Sequence, residues 1–277
     1  MSPNNQTNAR IGFIGIGSQG GPMAARIAKA GMPLTVWARR PEVLAPFVAL
    51  GAASAASIAE LGAASDHVGV CVLNDADVFA VCEVLIPAMR PGSRIAIHST
   101  ILPESVIALA ERAGAAGLDL IDAPVSGGGP GAEAGTLTVM CGASEAVFNA
   151  AHPVFATFGK TIVRLGEVGA GQRAKIVNNA LLAANMGLAD AALEAGTALG
   201  IERAALAALI RDSSGRSYGF EIAARLPTPA AFATGAPLLV KDVDLLTTIL
   251  PDHPGARLMR DTAAPFLTAA TGEKLKD

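Results

Sequence analysis

Between Ile11 and about Leu120 the chain alternates short apolar runs with longer amphipathic stretches, and this alternation limits its possible folds more than any other feature. The runs IGFIGI (11–16), LTVW (34–37), VGVCVL (68–73) and RIAIH (94–98) have strand length. Each is apolar at consecutive positions, so both faces must be covered, as in a buried parallel sheet. Helix-like segments lie between them. Residues 20–30 are closed by Gly31 in a C-cap position, 75–89 stop ahead of Pro91 and Gly92, and 103–113 stop ahead of Gly114. Strand–helix alternation of this kind builds right-handed βαβ units on an open parallel sheet, so the expected class is α/β. After Gly117, LDLIDAPV and TLTVMCG read as two further strands joined by a glycine-rich turn, and TIVRLG (161–166) reads as one more.

The pattern changes near Gly169. From Gln172 to Leu199 runs one long helical stretch rich in Ala and Leu, followed by helical segments near 202–211, 219–224 and 240–250, with no strand signal of similar strength. The expectation is a sheet domain over 1–168 and an all-α domain over 169–277. A long helix joins them, because no Pro/Gly/Ser-rich spacer intervenes.

Composition excludes several classes. With 277 residues, 16% charged, and a mean hydropathy of +0.44, the chain can bury a core without disulfides or a structural metal. The formal charge is -3, from 21 basic and 24 acidic residues, and no run of Lys or Arg occurs, so neither nucleic acid nor an anionic membrane is an expected partner. Cys71, Cys82 and Cys141 are widely spaced in apolar surroundings and suggest a reducing compartment. The polar start MSPNNQTNAR lacks the apolar stretch of a signal peptide. The apolar tract 180–201 carries Asn185, Asp190 and Glu194, which would be costly in a bilayer, so a cytoplasmic location is expected.

Gly15-Ile16-Gly17-Ser18-Gln19-Gly20 spells G-x-G-x-x-G directly after a strand and at the start of a helix. In that setting the first glycine permits a tight turn, the second lets backbone approach a pyrophosphate, and the third lets helix and strand pack closely. Free N–H groups at the helix start receive the negative charge. An NAD site places Asp or Glu at the end of the second strand; here that strand ends Ala38-Arg39-Arg40. Arg39, with Arg40, suits a ribose 2′-phosphate, so NADP is expected, with NAD as the alternative.

Two further segments carry chemistry. Residues 122–136 pack glycine after a strand, and the Ser126 hydroxyl with neighbouring N–H groups can hold a carboxylate. In GAGQRAKIVNN (169–179), Lys175 and Asn179 are four apart, so both project from one helical face. A partly desolvated lysine beside a cofactor cation is fit to pass a proton to or from a hydroxyl oxygen. His67, His152 and His253 have no acidic or cysteine neighbours at ligand spacing, and no metal site is assigned; His98 reads either as a strand-end histidine with a satisfied hydrogen bond or as a polar group that tunes the nicotinamide pocket.

GFIGIGSQGGPMAARIAKAG, DAPVSGGGPGAEAGTLTVMCG, GAGQRAKIVNN and KDVDL resemble, in order and spacing, the signature blocks of the β-hydroxyacid dehydrogenase family, which is related to 6-phosphogluconate dehydrogenase. The resemblance implies a Rossmann domain, an all-α domain, a small carboxylate substrate, and a homodimer or homotetramer. It implies that Ser126, Gly127 and Gly128 hold the substrate carboxylate, that Lys175 is the general acid/base and that Asn179 orients substrate and lysine. On the cofactor side it implies Leu73 and Asn74, Thr100 next to Ser99, and Lys241. Three positions depart from the pattern: Gln19 where the family usually has Met, Ala38 for a frequent Asn, and His98 for a common Asp. The expected activity is hydride transfer between NADP(H) and a small β-hydroxy acid or its semialdehyde. The rivals are an imine reductase-like enzyme, which would exchange the lysine for another donor, and a non-catalytic cofactor-binding module.

Overall fold

The computed structural model describes residues 9–275; residues 1–8, read above as lacking an apolar leader, lie outside them. The sheet part opens with strand β1 (Ile11–Ile14), helix α1 (Gly20–Lys29), β2 (Leu34–Trp37) and the short α2 (Ala45–Val48). It continues with β3 (Ala53–Ser54), α3 (Ile58–Ala64), β4 (His67–Val70), α4 (Asp75–Ala88), β5 (Arg94–Ile97), α5 (Pro103–Ala115) and β6 (Asp119–Asp122). These strands lie in the order β3-β2-β1-β4-β5-β6, all parallel. That is the Rossmann order, with its reversal of direction between β1 and β4, where open α/β sheets bind their ligands.

Beyond β6 come β7 (Val125–Ser126), α6 (Gly128–Ala134), β8 (Leu137–Gly142), α7 (Glu145–Phe155) and β9 (Gly159–Gly166). Here the sheet departs from the all-parallel expectation: β8 runs antiparallel to β6 and β7, and only β9 pairs with β8 in parallel. The single strand expected from LDLIDAPV is two, broken at Ala123–Pro124, because proline lacks the N–H that a continuing ladder needs. The expected glycine-rich turn after it contains α6, whose start follows Gly127 at φ 127° and whose end is Gly135 at φ 70°, both conformations open to glycine.

Alternation along the strands feeds apolar side chains to both faces of the sheet. Ile11, Phe13, Val36 and Ala96 join one core with Met23, Ile27, Phe155 and Phe158. Ile14, Val70, Ile95 and Ile97 join the other with Leu85 and Leu109. Each large side chain so buried contributes roughly 1.5–3 kcal/mol.

The chain divides into two compact units inside the long helix α8 (Ala170–Ala198), the first ending at Lys175 and the second starting at Ile176. The sequence reading put the border at 168/169, but the first helical turn is hydrogen-bonded into the sheet unit, which carries the division past it. α8 is long and apolar enough to cross a bilayer, yet Ile176, Ala180, Ala183, Met186 and Leu193 are spent on the core of the helical unit. Its Asp190 pairs with Arg203.

The helical unit continues with α9 (Arg203–Arg211), α10 (Tyr218–Ala223), α11 (Ala236–Ile249) and α12 (Pro254–Thr271). The sequence reading did not anticipate α12. Pro254 sits where a helix tolerates proline, in the first turn, and Gly272 at φ 77° ends it, but Pro265 inside the segment reads as a breaker. Also unforeseen were α3, capped by Ser57, and α7, capped by Ser144.

Candidate active site

The G-x-G-x-x-G loop lies at the carboxyl end of β1, beside the end of β4. A Cβ on Gly15, at φ +96°, would come 2.0 Å from the Cys71 carbonyl oxygen, and one on Gly20 would come 2.1 Å from the Gly15 carbonyl oxygen. A Cβ on Gly17 would meet nothing within 4 Å. The first and third glycines are therefore packing necessities, while the second bares its backbone to open space. Gln19 does not cap α1 with its side chain, and the first turn holds no acidic residue. By contrast, Asn74 caps α4 and Ser57 caps α3. The donors at the start of α1 suit a pyrophosphate, so this loop fits a dinucleotide, which residues 15–20 would hold.

The serine–glycine loop belongs to the same unit. Ser126 is half-buried on β7, and Gly127 (φ 127°) and Gly128 (φ 61°) follow it. A Cβ on Gly129 would stand 2.8 Å from the Ser18 carbonyl oxygen, so this loop abuts the cofactor loop. The Ser99 hydroxyl accepts from the Val72 N–H at 2.8 Å, which ties the turn of Ser99 and Thr100 to the end of β4.

Lys175 is only 8% exposed, and among the described residues no other lysine or arginine is classed as buried. It lies in the opening turns of α8, and the helix start is fixed from elsewhere in the sheet unit. Asp122, at the end of β6, accepts from the Gly169 N–H at 2.7 Å and from the Gln172 N–H at 2.8 Å. The Gln172 side chain donates to the Ser99 carbonyl at 2.9 Å and accepts from the Ile101 N–H at 3.1 Å. Burial pushes the Asp122 carboxyl up to about 6, against the Gly169 and Gln172 N–H groups that pull it down. The sequence reading gave no role to Asp122 or Gln172, although both stand inside the quoted motifs.

In the helical unit, Asn179 is buried and donates through Nδ2 to the buried carboxylate of Asp242 at 2.5 Å. The other oxygen of Asp242 has the Lys241 ammonium 3.1 Å away, a charge partner and not an aligned hydrogen bond. Asp242 was also missed, though it neighbours Lys241 in KDVDL.

The remaining candidates divide. Arg39 and Arg40 are exposed just after β2. Leu73 is 60% exposed, and Asn74 spends its side-chain oxygen on the Asp77 N–H at 2.9 Å. His98 is a core residue: its Nδ1 sits 2.8 Å from the Ala123 carbonyl, and its ring stacks on Phe13 and meets Phe155 and Phe158 edge-on. Burial holds its pKa down at about 4, so it is neutral.

Residues 10–166 match the family model for the NAD-binding domain of 6-phosphogluconate dehydrogenase, and residues 169–277 match that for the NAD-binding part of NADP-dependent 3-hydroxyisobutyrate dehydrogenase. The chain belongs to the β-hydroxyacid dehydrogenase family. It is an NAD(P)-dependent hydroxyacid dehydrogenase. Within the family it is 40% identical over 219 residues to the 2-(hydroxymethyl)glutarate dehydrogenase of Eubacterium barkeri, covering 78% of this chain and 73% of that protein. It is 37% identical over 223 residues to the NAD-dependent L-serine dehydrogenase of Pseudomonas aeruginosa, covering 77% of this chain and 72% of that protein. The solved 3-hydroxyisobutyrate dehydrogenase of Mycobacterium tuberculosis with L-serine matches with a TM-score of 0.84 at 27% identity, over 96% of this chain and 95% of that one.

Proposed function

We propose that this enzyme interconverts a 2-substituted 3-hydroxypropanoate and its semialdehyde with NADP(H), Lys175 serving as general acid/base. The acids named for the relatives, 3-hydroxyisobutyrate, L-serine and 2-(hydroxymethyl)glutarate, share one unit: a hydroxymethyl group on the carbon that bears the carboxylate. They differ only in the third substituent of that carbon. Ser126 and the N–H groups of Gly127 and Gly128 would take the common carboxylate, since neutral convergent donors satisfy an anion without adding a counter-charge.

When bound, the nicotinamide gives or takes the hydride; the protein handles the proton and the position. In the oxidative direction Lys175 removes the hydroxyl proton as hydride leaves the carbinol carbon, and in the reductive direction it protonates the carbonyl oxygen. A buried amine suits this work, because it is withdrawn from bulk water and can exchange its proton with a substrate oxygen held beside it. Asn179, one turn further along α8 and fixed by Asp242, would orient the substrate oxygen toward the lysine. Arg39 would grip a ribose 2′-phosphate.

The single observation that carries this reading is the burial of Lys175 on a helical turn bonded to the Ser99–Ile101 loop. The test is Lys175→Ala assayed by nicotinamide absorbance with 3-hydroxyisobutyrate, L-serine and 2-(hydroxymethyl)glutarate. Turnover should fall by roughly 10²–10⁴-fold, the usual share of general acid–base catalysis, while the cofactor Kd stays within about twofold. Turnover within tenfold of the parent would end the assignment.

A further inference from the structure

The helix that carries Lys175 begins without a polar cap from its own neighbourhood. The residues before it are Val168 and Gly169, neither of which can offer a side-chain oxygen. The Ala170 N–H goes to the Glu167 carbonyl, but those of Gly169 and Gln172 are taken by Asp122, which lies 47 residues upstream of Gly169 and is fully buried. A local capping serine would satisfy the Gln172 N–H, but it would leave the helix start unattached to the sheet. The distant carboxylate satisfies both N–H groups and attaches the turn to the end of β6.

Gln172 makes the second attachment. It too is fully buried, and its amide spans the Ser99 carbonyl and the Ile101 N–H in the loop after β5. Four hydrogen bonds from two side chains thus tie one helical turn to two strand ends. Lys175 is three residues past Gln172, on the same rigid segment, so the origin of its side chain is set by these bonds. Two glycines make the arrangement possible. A Cβ on Gly171 would come 2.2 Å from the Met140 carbonyl oxygen and 2.8 Å from Asp122 Oδ2, and one on Gly142 would come 2.3 Å from Asp122 Oδ1. At both positions the absence of a side chain leaves room for the carboxylate.

We propose that Asp122 and Gln172 are positioning residues that act through Lys175, bracing the first turn of α8 against the Ser99–Thr100 loop so that the amine meets the reacting oxygen. The proposal rests on the assignment of Lys175 above. Misplacement by about 1 Å can cost on the order of 10²-fold in rate, so loosening the brace should show in kcat and not in substrate affinity.

The experiment is a double-mutant cycle on the full-length enzyme with Asp122→Asn, Gln172→Met and Lys175→Ala, using the acid of the three above that is turned over fastest. Asp122→Asn keeps the size of the side chain and turns a donor toward one of the two N–H groups; Gln172→Met keeps length and loses both bonds. Each single variant should lower kcat at least tenfold with KM and cofactor Kd within about twofold. In the Lys175→Ala background the same changes should lower the residual rate by less than twofold, since a residue that acts through another has nothing left to act on. Equal factors in both backgrounds would overturn the proposal, as would a kcat within twofold of the parent for both single variants. If Lys175→Ala itself keeps its turnover, the lysine assignment has failed, and the brace is judged by a measurement that needs no substrate. Amide hydrogen exchange over residues 169–175 should quicken at least tenfold in either variant while that over 94–97 is unchanged; unchanged exchange over 169–175 removes the brace. Should Asp122→Asn fail to fold, Gln172→Met carries both measurements alone.

Discussion

Placing a methyl group on Gly15 and, separately, on Gly17 should produce opposite phenotypes from neighbouring positions of one loop. At Gly15 the backbone sits at φ +96° and the added carbon would lie 2.0 Å from the Cys71 carbonyl oxygen, a backbone atom that cannot swing aside. The left-handed conformation costs an L residue roughly 1–2 kcal/mol, and relieving the overlap costs about 1–3 kcal/mol more. Gly15→Ala should therefore lose about 2–5 kcal/mol, a fall in Tm of roughly 5–15 °C for a chain of this size. At Gly17 the added carbon meets nothing within 4 Å, so Gly17→Ala should keep its stability within about 0.5 kcal/mol. Its effect should fall on the cofactor, because the methyl occupies the space through which backbone approaches a pyrophosphate. A loss of about 1.4 kcal/mol there is tenfold in Kd. Thermal unfolding without cofactor, followed by titration with NADPH, reads both quantities on the same two samples. A Gly17→Ala protein that binds NADPH like the parent, or a Gly15→Ala protein with an unchanged Tm, would refute the division of labour within the loop.

Arg39→Asp should lower the preference for NADPH over NADH by roughly 10–100-fold, the worth of one charge-assisted hydrogen bond to phosphate; an unaltered ratio of kcat/KM would remove Arg39 from cofactor choice. His98 has its pKa held at about 4 in the fold against 6.5 unfolded, so its contribution is present above pH 6.5 and is lost as pH falls toward 4. The stability advantage of the parent over His98→Phe, measured by urea unfolding, should shrink by about 3 kcal/mol between pH 7 and 4, and a constant difference would contradict the buried neutral ring. Asp242→Ala leaves the buried Asn179 amide without this acceptor and removes the carboxylate 3.1 Å from the Lys241 ammonium. With Lys241 partly solvated, the expected destabilisation is about 2–3 kcal/mol by urea unfolding, and a loss below about 0.5 kcal/mol would show the cluster to be slack.

What could be read from the chain alone follows the range of the interactions. Five of the six parallel strands and the glycine loop were legible because each is written within some twenty consecutive residues: an apolar run, a turn, an amphipathic stretch; β3 was not, being two exposed residues with no apolar run. That Lys175 and Asn179 sit one turn apart on a single helix was legible for the same reason. Asp122 and Gln172 were not, because their partners lie 47 to 73 residues away and only the folded sheet brings them together. Asp242 escaped notice likewise, with Asn179 63 residues before it. α12 was hidden by Pro265, whose missing N–H argues against a helix until eighteen residues of packing outweigh it. His98 was legible as a strand-end residue, but its neutrality depends on three phenylalanines drawn from two other elements and the loop after α7.

The border between the two compact units falls directly after Lys175, within a continuous helix and not in a loop. Anyone recombining this enzyme with a relative to change its specificity faces a choice that the motif GAGQRAK conceals. A crossover placed at Gly169, where the sequence changes character, would import a foreign opening turn and oblige it to find matching acceptors on a host strand and loop it never met. A crossover after Lys175 exchanges the helical half while leaving Lys175 with its native moorings.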